Sequence, residues 1–298
     1  MSINTSSNQY LNQCKIFHSK FLNDARYVFK SLNGQYMAVM TLHDHTKHNE
    51  TRYTVKNMEQ AKHRASGVNV VLIFDKFDPV RSVESVTTTF AGIPTTYTVD
   101  QTTLADSYDT NIANADSGGI FYYRTMDCAF YYNLEMLNYT GEYYDWHYNG
   151  LLKEKGMLTN GRKSGYWEDF YGNGQLCTKS VYSNDKLNGE YYEFFENGNK
   201  SEIGYFVNDV PVGFSVGWHE NGEKASEGNY DDDGLEHGYW LNWREDGRRE
   251  LFCTYDHGSF DGLYVKYSSE GFNVVEVAGL YRLGLLEEYD LSTVKLIF

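Results

Sequence analysis

The chain of 298 residues is short of positive charge: 26 Lys and Arg stand against 41 Asp and Glu, a formal net charge of −15. That balance disfavours the phosphates of nucleic acid and anionic membrane surfaces as partners. Cysteine is also scarce. Cys14, Cys128, Cys177 and Cys253 lie far apart, none in a CxxC or other metal-ligand spacing, which points to free, reduced thiols rather than a disulfide framework or a zinc knuckle. No run approaches the ~18 apolar residues of a membrane span, and the opening "MSINTSSNQY" has neither the basic region nor the apolar core of a secretion signal. A soluble, intracellular protein is expected. Phosphate-cradling glycine loops, HExxH and nucleophile-elbow patterns are missing as well. The chain is therefore read as non-enzymatic, with no cofactor.

Scarcity also divides the chain. Residues 1–118 hold only four of the 27 glycines and none of the five tryptophans. They carry 11 basic and 11 acidic residues, so the whole charge of −15 belongs to residues 119–298. Two domains are expected, 1–118 and 119–298. Strand-like runs in the first are "ARYVFKS", "QYMAVMTL" and "VNVVLIF", with a helix near "TVKNMEQAKHRA" (54–65). This suggests a small α+β domain packed on the first repeat of the second domain.

What is abundant is a repeat. Copies open at Gly141, Gly165, Gly189, Gly213, Gly238 and Gly262, at spacings of 24, 24, 24, 25 and 24, beginning with "GEYYDWHYNGLLKEKGML". An aromatic usually stands two residues on (Tyr143, Trp167, Tyr191, Trp240, Tyr264; Ser215 is the exception), and always five on (Trp146, Phe170, Phe194, Trp218, Trp243, Tyr267). A dipeptide ending in glycine comes next, at Gly150, Gly174, Gly198, Gly222, Gly247 and Gly271, where a two-residue hairpin needs positive φ. A second turn closes each copy, at Asn160-Gly161, Asn184-Asp185, Asn208-Asp209, Asp232-Asp233 and His257-Gly258. Strands joined only by short turns pair with their sequence neighbours. The fold class is thus mainly β: the α+β domain, then an elongated single-layer antiparallel β-meander whose rings stack from copy to copy. "GIFYYRTMDC" from Gly119 reads as a degenerate leading strand. "GLLEEYD" from Gly284 reads as a half-repeat cap, with Leu286 and Tyr289 in the ring positions and "LSTVKLIF" covering the last edge. Positions two and five differ by an odd number, so either a bulge intervenes or both faces are partly aromatic.

This pattern, from Gly141 to Tyr289, resembles the variant class of MORN repeats found in bacterial antitoxin-like proteins and in giant DNA viruses. "AKHRASGVNVVLIF" and "YTVDQTTLADSYDTNIANADSGGIFYYRTMDCAFYY" resemble an uncharacterised domain that precedes such repeats in viruses of the marseillevirus and mimivirus kind. The chain departs from that domain's pattern at His63, where the pattern has Cys, and at "DSGGIFYY", where it has Cys-Ser-x-Gly-Ile-His-Phe-Phe. The resemblance implies a structural or protein-interaction scaffold, a minor capsid or other virion component, located in the host cytoplasm and the virion.

The candidate interaction ladder is the eleven aromatic residues at positions two and five. The acids Asp145, Glu168, Asp169, Glu193, Glu196, Glu220 and Asp231 to Asp233 read as a solvated face that keeps an aromatic sheet soluble. The densest ligand-type cluster is His43, His45 and His48 in "HDHTKH", which lacks a fourth ligand at an accepted spacing and reads as a solvated loop. A protein partner is expected, with no nucleic acid and no membrane. Two other readings remain: an antitoxin-like neutraliser of a protein, and an enzyme in the first domain, which would need His43, His45 or His63 to converge on a pocket.

Overall fold

The computed structural model describes residues 8–90, 92–134, 137–270, 274–282 and 285–288. The chain is mainly β and divides into two compact units. One comprises the residues up to Lys163 with Gly172–Gly174, the other Ser164–Tyr171 with the residues from Gln175 onward. The expected division at residue 118 does not coincide with this one, because the first hairpin of the array belongs to the first unit.

That unit opens with α1 (Gln9–Phe17), capped by Asn8, whose Oδ1 accepts from the Tyr10 and Leu11 amides at 3.1 and 3.2 Å. Its strands are β1 (Tyr27–Leu32), β2 (Tyr36–Leu42), β3 (His63–Ala65), β4 (Gly67–Asp75), β5 (Ser85–Phe90), β6 (Ile93–Thr98), β7 (Thr102–Leu104) and β8 (Ile120–Tyr122), followed by α2 (Met126–Tyr131). An antiparallel sheet runs in the order β1-β2-β4-β7, and β5 with β6 forms a hairpin. Three of these strands fall where the sequence places them, because "YVFKSL", "YMAVMTL" and "GVNVVLIFD" supply the apolar side chains of the core. Val28, Leu32, Ala38, Met40, Val68, Val70 and Ile73 are all buried there, with Ile120 and Tyr122.

Two expectations are corrected in this unit. No helix forms over residues 54–65. The amides of Lys56 and Asn57 both donate to the carbonyl of Asn149, at 2.8 and 2.9 Å, and Asn57 Oδ1 accepts from the Glu59 amide. Residues 54–62 are turns and irregular backbone seated on the first repeat's hairpin loop, and residues 63–65 are the strand β3. A Cβ on Gly150, whose φ is +87°, would lie 2.1 Å from the Asn57 carbonyl oxygen, so this seat requires glycine. The second correction concerns "GIFYYRTMDC": it does not lead the array. β8 pairs with β3, and Tyr123 bridges Phe29 on β1.

Buried polar side chains hold the loops of this unit. The Arg64 guanidinium is fully buried, stacks on Tyr108, and donates to the carbonyls of Asp109, Asn111, Asn114 and Gly118 at 2.6 to 3.0 Å. Lys76 Nζ donates to Ser31 Oγ and the Phe130 carbonyl.

The repeats form one antiparallel sheet of 14 strands. They are β9 (Gly141–Trp146), β10 (Leu152–Thr159), β11 (Arg162–Phe170), β12 (Leu176–Ser183), β13 (Lys186–Phe194), β14 (Lys200–Val207), β15 (Val210–Pro211), β16 (Gly213–Trp218), β17 (Lys224–Tyr230), β18 (Glu236–Trp243), β19 (Arg249–Asp256), β20 (Ser259–Tyr267), β21 (Val275–Arg282) and β22 (Leu285–Glu288). They succeed one another in sequence order, except that short β15 pairs only with β14. β22 pairs with β21 and sets Leu286 opposite Tyr281. Gly271, Gly284, Tyr289 and the closing "LSTVKLIF" lie outside the described residues.

The first turn of each copy departs from the two-residue expectation. At the Asn-Gly sites only glycine has positive φ: Gly150, Gly174, Gly198, Gly222 and Gly247 do, and the residues before them do not. His147 N bonds Leu151 O, and Gly150 N bonds His147 O. That is a three-residue loop, a type I turn closed by a glycine bulge. The two-residue turns with positive φ at both positions occur at the other edge, at Asn160-Gly161, Asn184-Asp185, Asn208-Asp209 and His257-Gly258. The exception is Asp231–Leu235, where the chain spends one more residue on a three-residue loop through Gly234 (φ +81°). This is the source of the single 25-residue spacing.

The second alternative for the ring positions holds, and rings occupy both faces. Each hairpin has a bulge just before the position-five ring, but on the opposite strand: Asp169 faces Thr178 and Phe170 faces Leu176, leaving Cys177 unpaired in the ladder. The first strand keeps its alternation, so positions two and five occupy opposite faces.

Candidate functional site

On one face, the position-two ring packs edge-on against a second ring near the end of the hairpin. Trp167 meets Tyr182 at 6.2 Å, Tyr191 meets Phe206 at 5.2 Å, and Trp240 meets Tyr230 of the preceding copy at 5.1 Å. Within the hairpin three of the position-two rings face glycine, Tyr143 opposite Gly156, Tyr191 opposite Gly204 and Tyr264 opposite Gly279, whereas Trp167 faces Ser180 and Trp240 faces Cys253. The close approach of ring to glycine is that of Trp240 over Gly228 on the neighbouring strand, where a Cβ would lie 2.2 Å from the indole. Tyr143 and Trp167 are buried, whereas Tyr191, Trp240 and Tyr264 are half-buried.

The position-five rings lie on the other face, Tyr267 buried and Trp146, Phe170, Phe194, Trp218 and Trp243 half-buried. Trp146 packs on Tyr131 and Tyr144. Lysines cover two others: Lys200 Nζ stands 5.8 Å from the Trp218 centroid and Lys224 Nζ 5.1 Å from that of Trp243. The main chain beside this position is a coupling point. Phe194, Trp243 and Tyr267 carbonyls accept from Tyr171 Oη, His219 Nε2 and Arg244, each one copy earlier, at 2.7, 2.8 and 3.1 Å. Along the same edge, Asn149, Asn197 and Asn221 donate Nδ2 to carbonyls of Gly172, Glu220 and Glu245. The ladder residues are thus largely structural.

The sequence reading missed position one. Tyr166, Phe214 and Tyr239 immediately follow the opening glycines and are 78, 49 and 44% exposed, and Tyr205, 46% exposed, belongs to the same row. Cross-strand register places Tyr166 opposite Val181, Tyr205 opposite Glu190, Phe214 opposite Asn229 and Tyr239 opposite Thr254. Alternation sets all of them on the face of the position-five rings. The signal was visible as "GYW", "GFS" and "GYW", but the position is Glu in the first and third copies, so it lacks the regularity that exposed the ladder. Acids border the row: Tyr192 Oη bonds Glu190, and Glu168 pairs with Lys179 at 3.4 Å.

His43, His45 and His48, expected to lie in a solvated loop, take separate places in the backbone. His43 follows β2 and its carbonyl accepts from the Thr46 amide, His45 is an exposed turn residue with φ +63°, and His48 bridges Ala65. His63 is fully buried. Its Nε2 lies 2.8 Å from the Met58 carbonyl and its Nδ1 3.3 Å from Arg52, so both nitrogens are engaged. Burial, with Arg52 beside it, pushes this imidazole down to about 4. All four cysteines are free thiols, and burial pushes Cys14 up to about 12 and Cys128 still higher.

A cavity of about 530 Å³ opens in the first unit, among Lys30, Thr88, Thr95, Tyr97, Asp106 and Asp116. Lys30 Nζ donates to the Phe121 carbonyl at 3.0 Å, and burial, with Lys62 nearby, pushes its amine down to about 7. Among the described residues, one group of three His, Cys, Asp or Glu side chains brings its ligand atoms within 4.8 Å of one another: Asp231, His237 and His257.

No family model matches the chain, and no curated protein matches it.

Proposed function

We propose that the repeat array is a non-enzymatic scaffold that engages a protein partner through the exposed position-one rings. The observation that carries this reading is the contrast between adjacent residues Tyr166 and Trp167, which are 78% and 1% exposed. The inward ring packs within the fold; the outward one, repeated at Phe214 and Tyr239, leaves much of its surface open. Aromatic anchors inside a polar rim are the usual composition of a protein interface. The acids around them, and the net charge of −15, favour a partner with a basic surface. On the MORN-variant resemblance, the partner is a structural protein of a giant-virus particle and this chain a minor capsid or virion-associated subunit.

The engagement of both His63 nitrogens and the separation of His43, His45 and His48 favour this reading over catalysis in the first unit. The test is affinity capture from native lysate with the full chain and with a Tyr166→Ser, Phe214→Ser, Tyr239→Ser variant of unchanged melting temperature. Capture of one abundant structural protein by the wild type alone supports the scaffold. Equal capture by both chains removes the row from the interface.

A further inference from the structure

The one irregular junction of the array is also where its histidines meet. Each regular junction turn spends two residues with positive φ, but Asp231–Leu235 spends three. The longer loop fixes Asp231: Oδ1 accepts from the Asp233 and Leu235 amides at 3.0 and 2.9 Å, leaving Oδ2 to meet His257 Nδ1 at 2.6 Å. His257 itself is held by the following junction turn, with φ +46°. His237, at the start of β18, faces it with ring centroids 5.4 Å apart. A second carboxylate, Asp256, stands 3.4 Å from His237 Nδ1 and 3.8 Å from His257 Nε2.

We propose that Asp231, His237 and His257, with Asp256 beside them, form a binding site for a divalent transition-metal ion of the zinc type, which clips two successive junction turns together. Two imidazoles and a carboxylate suit zinc, nickel or copper far better than calcium or magnesium, which require oxygen ligands. Zinc with ligands at about 2.0–2.1 Å needs donor atoms about 3.3 Å apart. The present separations, from 2.6 to within 4.8 Å, bracket that value. The adjustment falls on the imidazoles, whose side chains are 51 and 63% exposed, while the carboxylate is 11% exposed and already oriented by two amides. Two carboxylates balance the charge of the ion. Among the described residues no other junction carries such a set: the turn equivalent to His257-Gly258 two copies earlier is Asn208-Asp209.

The test is calorimetric titration of the full chain with Zn²⁺ alone, repeated for His237→Gln, for His257→Gln and for His43→Gln combined with His45→Gln. These are exposed or half-buried side chains, and circular dichroism of each variant establishes that it folds. One ion should bind per wild-type chain and per His43/His45 variant. Each substitution at His237 or His257 should weaken binding by more than the ~10–100-fold typical of outer-shell partners. Ca²⁺ should not compete. Absence of stoichiometric Zn²⁺ binding, or binding that persists in both His237→Gln and His257→Gln, or its loss in the His43/His45 variant instead, would overturn the proposal.

Discussion

The Trp240 indole lies so close over Gly228 that a Cβ on that glycine would sit 2.2 Å from ring atom Cδ2. The same indole donates Nε1 to the carbonyl of Asn229 at 3.1 Å. Ring and glycine face each other across β17 and β18. Gly228→Ala must therefore displace the indole and should cost about 3 kcal/mol, as overpacking of a close contact does. Gly172, with nothing within 4 Å of its Cβ position, is the control. Denaturant unfolding of both variants measures the difference, and equal stability would place the indole elsewhere.

Adjacent residues on β11 give opposite expectations. Trp167→Ala removes a ring that is 1% exposed and should cost roughly 3–5 kcal/mol. Tyr166→Ala removes one that is 78% exposed and should stay within about 0.5 kcal/mol of wild type. Thermal melts of the two proteins separate them, and the reverse order would exchange the two faces of the strand.

The turn-edge asparagines act in two directions. Asn221 Oδ1 accepts from the Glu223 amide at 2.9 Å, and Nδ2 donates to Glu245 O at 2.6 Å. Asn221→Asp keeps the first bond and removes the second, placing a carboxylate against a carbonyl. A loss of about 1–2 kcal/mol is expected. The fifth copy shows how the chain tolerates aspartate here: Asp246 cannot donate, and Arg248 instead bonds the Ser269 carbonyl at 2.9 Å. An unfolding midpoint in urea equal to that of wild type would show that the link between copies carries no energy.

His63 sets a pH dependence. Its folded value of about 4 lies below the ordinary 6.5, so between those values the unfolded chain binds the proton and the folded one does not. Stability is therefore full above about pH 6.5 and falls as the pH drops towards 4, by up to about 3 kcal/mol. Arg52 beside Nδ1 opposes protonation, while Glu50 and the Met58 carbonyl favour it less strongly than burial opposes it. His18, also lowered by burial, acts in the same sense. Chemical denaturation at pH 7 and pH 5, for wild type and His63→Gln, should give a smaller loss in the variant. An equal loss would contradict the assignment.

The array was legible because its constraints are local and repeat: a turn glycine and two rings recur at a 24-residue beat, the pattern of stacked hairpins. Which turn took which type was not legible. Asn-Gly suits both a two-residue turn and a glycine-bulge loop, and the choice rests on the register of the bonds closing it, His147 to Leu151 in the first copy. The first unit was legible only in its apolar strands. Residues 54–65 have helical spacing, but the Asn149 carbonyl takes the amides of Lys56 and Asn57, and that contact is nearly a hundred residues away in sequence. α1 buries only Leu11 and Cys14 and left little periodicity to read. The Asp231, His237 and His257 group is spread over 27 residues and assembled by pairing of β18 and β19, so no motif announced it.

The scaffold reading is tested most directly by site-specific photo-crosslinking. A benzophenone amino acid is placed at Phe214, in the exposed row, and separately at Glu223, an exposed residue of the turn edge, in the full chain within the cells that produce it. A single discrete adduct from position 214, absent from position 223, is the predicted result. Adducts of the same partner from 223 alone, or none from 214, would contradict a role for the position-one rings in binding.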